Sequence, residues 1–235
     1  MKQKGISIFS LVTPVLLHLG LSFAIGFAMG IMKISDPTAA TVATALITIP
    51  LAYQMYRKDR VRAAGNEKEA KNIGSRSLAY AVGRSAEKLS GERVIWFGIF
   101  CFMAGGVLNL AWSAALEAVH IQDYFSNEVQ ESLLQSGSVV QVLGLGIVVP
   151  IAEELIFRGL VYMRMKWFFP VKVSAFLSSL LFAVYHGNPI QIIFAFPMAL
   201  ALAAVYEHGK LFVFPVLFHM GANLTTVILG FYFQN

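Results

Sequence analysis

Charge is scarce in this sequence. Asp, Glu, Lys and Arg make up 13% of its 235 residues, against roughly a quarter in soluble globular chains. There is too little polar surface to cover an apolar content of 57%, which excludes an ordinary water-soluble fold. Cysteine is nearly absent: Cys101 stands alone within an apolar run, so no internal disulfide staples the chain and the redox compartment stays undetermined. Internal repeats and low-complexity stretches are lacking, which argues against a repeat-built transporter. There is also no HExxH segment of the kind that presents two zinc ligands from one helix.

What the chain has instead is long apolar runs. They lie at Ile6–Met32, Thr38–Tyr56, Val94–Leu116, Leu133–Ala152 continuing to about Met163, Trp167–Tyr185, Ile190–Tyr206 and Leu211–Phe233. Several approach the length of about 20 residues that a helix needs to cross a bilayer, and they are too continuously apolar for alternating barrel strands. The predicted architecture is therefore all-α: a polytopic transmembrane bundle of about seven spans (six to eight), forming one integral membrane domain over 1–235. The first run exceeds the apolar core of a secretory signal and is expected to remain as a span. Asp36-Pro37, Pro170 and Gly187-Asn188-Pro189 mark boundaries.

The net charge of +5 does not point to nucleic acid, because the basic residues flank apolar runs. Segment 57–93 holds ten Lys and Arg, mixed with Asp59, Glu67, Glu69, Glu87 and Glu92, whereas 117–137 holds none beside Glu117, Asp123, Glu128 and Glu131. Cytoplasmic loops carry the basic excess, so 57–93 is predicted to be a cytoplasmic loop near lipid headgroups, with the N-terminus inside and the C-terminus outside.

Ionisable groups inside a span are costly and point to function. The fourth run carries Glu153, Glu154 and Arg158. Glu154 and Arg158, four apart, share a helix face and form an available ion pair, whereas Glu153 points about 100° away and suits a general base facing a cavity. The fifth run ends in Phe182-Ala183-Val184-Tyr185-His186, and the seventh places His219 and Asn223 one turn apart. Counting from the cytoplasmic ends at about 1.5 Å per residue puts Glu153, His186 and His219 roughly 16, 21 and 14 Å deep, so the three can meet. A carboxylate and an imidazole can take a proton from water, and an imidazole with a carboxamide can stabilise an oxyanion, a set sufficient in kind for amide hydrolysis. His18 reads as a satisfied structural histidine, and His120 and His208 as solvated or interfacial.

EExxxR, FxxxH and HxxxN, in that order on successive apolar segments, resemble the CAAX protease and bacteriocin-processing family of intramembrane endopeptidases, which includes the type II CAAX prenyl endopeptidases. The resemblance covers about 138–230, the expected catalytic core. It implies that Glu153 and His186 activate water, that His219 and Asn223 stabilise the oxyanion, and that Glu154 and Arg158 support them, with Phe182 as packing. It also implies a membrane-associated peptide or protein as substrate, in what the small size and compact loops suggest is a bacterial cell membrane. Two cofactor alternatives stay open: Glu153, His186 and His219 as ligands of a divalent metal such as zinc, or a metal-free glutamate mechanism. The competing functions are a non-catalytic scaffold or immunity protein that binds a sensor kinase or bacteriocin-like peptide, and, more remotely, a small proton-coupled transporter.

Topology gives the first test. With Cys101→Ala as background, a membrane-impermeant thiol reagent applied from outside is expected to modify Tyr124→Cys and to spare Lys71→Cys. The reverse pattern overturns the orientation.

Overall fold

Prolines and their capping neighbours set where the long helices begin. In the computed structural model, which describes residues 7–64, 90–125 and 128–233, a 3-10 turn at Ile8–Leu11 leads into α1 (Thr13–Ile31), with Pro14 in its first turn. α2 (Pro37–Ala64) opens on Pro37, and Asp36 Oδ1 accepts the Ala39 N–H at 2.9 Å. α3 (Gly91–Ala118) follows Ser90, whose hydroxyl accepts the Arg93 N–H. A short α4 (Glu128–Leu133) precedes α5 (Val140–Met165). α6 (Val171–Tyr185) starts after Pro170; α7 (Pro189–Gly209) is capped by Asn188, after Gly187 turns with φ 71°; α8 (Val213–Phe233) closes the bundle. The described residues are helical and contain no strand, so the all-α polytopic bundle is borne out.

Six helices are long and apolar enough to cross a membrane, while α6, with 15 residues, is shorter. Two boundaries differ from the sequence prediction. The helices flanking the basic segment are longer than expected: α2 runs on to Ala64 and α3 begins at Gly91, leaving the rest of the predicted 57–93 loop outside the described residues. The fourth apolar run is split, because Leu133 belongs to α4 and a non-helical link precedes α5.

α5 is the axis of the bundle. Of its most apolar window 67% is buried, against 17–44% for the other spans, while Phe23, Phe27, Trp96 and Phe100 project from the periphery, as lipid-facing side chains do. α5 is also not uniformly wound. Its Val140–Val148 and Leu155–Tyr162 stretches are π-helical and flank a regular α segment, Val149–Glu154, a local departure that recurs at functional sites.

Polar clamps tie each end. At one end Arg164 pairs with Asp59 Oδ2 at 2.6 Å and donates to the Ser10 carbonyl, joining α5, α2 and the N-terminal turn. There too, Glu207 of α7 meets Lys166 and Lys210. At the other end Thr38 Oγ1 donates to the Leu133 carbonyl at 2.6 Å, and Ser136 Oγ donates to Asp36 Oδ1 at 2.5 Å. The Ser136 hydroxyl, with the Ala39 N–H, holds the Asp36 carboxyl below its ordinary pKa. His18 is satisfied by Thr48 (Nδ1 to Oγ1, 2.8 Å), and His120 and His208 are exposed, all three as predicted.

α3 and α8 cross at backbone contact. A Cβ on Gly105 would lie 1.9 Å from the Phe218 carbonyl oxygen, and one on Gly221 would lie 1.9 Å from that of Phe102. Small residues allow such close approach where helices pack in lipid. Because Gly221 stands between His219 and Asn223, this contact also sets the depth of both polar side chains. Gly105→Ala and Gly221→Ala are each expected to cost about 1–3 kcal/mol through overpacking, read as a lower thermal midpoint in detergent. Gly20→Ala, where a Cβ would meet nothing within 4 Å, is the control expected to leave the midpoint unchanged.

Candidate active site

The site grows outward from two adjacent glutamates on α5. Glu154 is fully buried, and its Oε1 accepts from Arg158 Nη1 at 3.0 Å, so the predicted one-turn pair forms. The same oxygen lies 2.9 Å from His219 Nδ1 on α8. Since a carboxylate accepts, Nδ1 is the donor, and the ring turns Nε2 towards Glu153 Oε2, 3.6 Å away. Glu154 therefore orients His219 as well as neutralising Arg158.

Arg158 reaches two further helices. Its Nη2 donates to the Ala199 carbonyl of α7 at 3.0 Å, and its guanidinium lies 4.7 Å from the ring centroid of Phe182 on α6. Phe182 also meets Phe157 edge-on at 4.9 Å, His186 at 4.8 Å and His219 at 5.9 Å. It packs, as predicted, and is in addition the aromatic platform on which the basic side chains of three helices converge.

His186 caps α6, its Nδ1 donating to the Phe182 carbonyl at 2.8 Å, which leaves Nε2 as the free ring nitrogen. Asn223 Nδ2 donates to the Leu145 carbonyl of α5 at 3.0 Å and keeps a second N–H. A cavity of about 200 Å³ is lined by Glu153, His186, His219 and Asn223, with Val149 and Phe182 among its apolar walls. Glu154 and Arg158 sit behind this wall. The divergence of the adjacent glutamates, one towards the cavity and one into the protein, follows from their 100° offset on α5.

Glu153, His186 and His219, the expected metal-ligand trio, all line this cavity, and as the side chains stand no three His, Cys, Asp or Glu among the described residues are spaced to hold an ion. Sequence reasoning missed other polar groups. Arg164 of α5 is buried and paired with Asp59 of α2. Asn109 of α3, 4% exposed, lines the same cavity as Glu153. An amide within the uncharged run Gly-Val-Leu-Asn-Leu was the signal, since a buried carboxamide in a span needs partners.

Residues 135–225 match the family model described as type II CAAX prenyl endopeptidase Rce1-like. The resemblance carried by the three motifs thus holds over a stretch that includes all six expected site residues and leaves α1, α2 and α3 outside it. No curated protein and no solved structure matches the chain.

The buried pair gives a stability test. Arg158→Ala strands Glu154 and is expected to cost about 3–5 kcal/mol, seen as lost folded yield and a lower thermal midpoint in detergent. Combining it with Glu154→Gln should recover part of that loss, because the uncompensated charge is then gone. An Arg158→Ala protein as stable as the wild type tells against the pair as a stabilising element.

Proposed function

We propose that this integral membrane protein is an intramembrane endopeptidase that hydrolyses a peptide bond of a membrane-associated peptide or protein. The observation that carries the proposal is the convergence of Glu153, His186, His219 and Asn223 on one cavity, together with the family match over the helices that bear them. A CAAX-type protease function is what that family supports. The finer assignment below is the mechanism that the geometry favours.

Glu153 takes a proton from a water held against it and the free Nε2 of His186, and the hydroxide attacks the scissile carbonyl. The developing oxyanion accepts from the second Nδ2–H of Asn223 and from His219 Nε2. His219 donates from Nε2 only as the imidazolium, a charge flanked by Glu154 at 2.9 Å and Glu153 at 3.6 Å. The proton gained by Glu153 then passes to the departing amine, so one carboxylate serves as base and acid. Glu154, Arg158 and Phe182 act indirectly, holding His219 and His186 in place. No step is routed through a metal. The end bearing Asp59, Arg164 and Glu207 is assigned to the cytoplasm, in keeping with the basic residues gathered there.

The test is reconstitution in vesicles with S-farnesylated CAAX peptides and a mixture of unprenylated apolar peptides, products being read by mass spectrometry. Glu153→Gln is expected to lower turnover by about 10²–10⁴ with folding intact, and Asn223→Ala by about 10²–10³. Chelator treatment is expected to leave the wild-type rate unchanged. A folded Glu153→Gln protein that cleaves like the wild type eliminates Glu153 as base, and wild-type protein that yields no product in either peptide set favours the scaffold function.

A further inference from the structure

Asn109 is a buried carboxamide that the mechanism above does not use. It lies on α3, outside the matched segment, with Leu108 and Leu110 beside it in sequence. Its Nδ2 is 3.0 Å from Thr226 Oγ1 on α8. Thr226 gives its only hydroxyl proton to the Ala222 carbonyl, at 3.4 Å, so towards Asn109 it can only accept. That chain of donors settles which end of the amide faces Thr226, and it leaves Oδ1 as the atom Asn109 has to offer. Asn109 lines the cavity, and with its amide nitrogen held on Thr226 its Oδ1 is the atom turned away from that contact.

Thr226 follows His219 by seven residues on the same face of α8. Seven residues of helix rise about 10 Å, the length of about three residues of extended peptide. An acceptor displaced by that rise from a carbonyl held at His219 is matched by a backbone N–H of a strand-like substrate. A bare carbonyl acceptor also suits a buried apolar wall, where a peptide N–H entering from water or lipid must find a partner or lose its hydrogen bond outright.

We propose that Asn109 is a substrate-binding residue, its Oδ1 accepting a backbone N–H of an extended peptide two or three residues from the scissile bond, with Thr226 as the positioning residue that presents it. The site then extends beyond the motif-bearing helices onto α3. This rests on the peptidase function for its ligand class, but it concerns binding and not bond cleavage.

The test uses a farnesylated CAAX peptide and a series of depsipeptide analogues in which one backbone N–H at a time, up to three residues on either side of the scissile bond, is replaced by an ester oxygen. Affinity is measured on full-length Glu153→Gln protein in vesicles, which does not turn the probe over. One ester position is expected to weaken binding about 3- to 10-fold in Glu153→Gln. Combined with Asn109→Ala, the parent peptide should lose the same factor and that ester should cost nothing more. Thr226→Val, which leaves Asn109 in place but releases its amide, should diminish the ester effect part way and guards against an Asn109 variant that fails to fold. An ester effect of equal size with and without Asn109 overturns the assignment and leaves the peptidase function standing. Failure of every peptide to bind Glu153→Gln overturns both.

Discussion

A single carboxylate in hydrocarbon, Glu154, is the constraint on which the arrangement of the site depends. An ionised group with no access to water is tolerated only when its field is answered by opposite charge and its lone pairs by donors. Glu154 meets that demand through Oε1 alone, which accepts from Arg158 on its own helix and His219 on α8, while Oε2 is buried with no hydrogen-bond partner among the described residues. Arg158 in turn must satisfy the rest of its guanidinium, and does so on the Ala199 carbonyl of α7 and the Phe182 ring of α6. The four helices of the motif-bearing half are thereby registered by one charge and its partner. Glu153, His186 and Asn223, which carry the proposed chemistry, are aligned by neighbours one residue or one turn away.

The α3–α8 crossing adds a second, purely steric register. Where a Cβ would meet a carbonyl oxygen at 1.9 Å on both partners, neither helix can slide without opening the contact. His219 and Asn223 bracket Gly221, so their depth relative to α5 is held from one side by the glycine contact and from the other by Glu154 and the Leu145 carbonyl. α3 also supplies Asn109 to the cavity wall. The first three spans are thus not merely a membrane collar.

Much of this was legible in the chain because the deciding rules are local. The Glu154–Arg158 pair follows from four-residue spacing, the divergence of Glu153 from Glu154 from a 100° step, and the termini of α2, α6 and α7 from Pro37, Pro170 and the Gly187-Asn188-Pro189 turn. What escaped depends on partners remote in sequence. The Arg164–Asp59 pair joins residues 105 apart and the Asn109–Thr226 bond residues 117 apart, so no local spacing rule connects either. The π winding of α5 leaves no periodicity signal in so uniformly apolar a stretch, whereas the break between Leu133 and Val140 falls on Gln135-Ser136-Gly137-Ser138, which carries no charge and so did not interrupt the run.

The shortness of α6 has a consequence for the lipid rather than for the protein. Fifteen residues rise only about 22 Å, some 8 Å less than a typical hydrocarbon core. Past its far end the chain turns at Gly187, whose N–H donates to the Val184 carbonyl, and at Asn188, whose carbonyl accepts the Ile192 N–H. A helix this short is accommodated by local thinning of the bilayer, at a modest elastic cost, or by protein packed around its end. Either way, the mismatch falls at the helix that ends in His186, on the flank where the cavity wall is built.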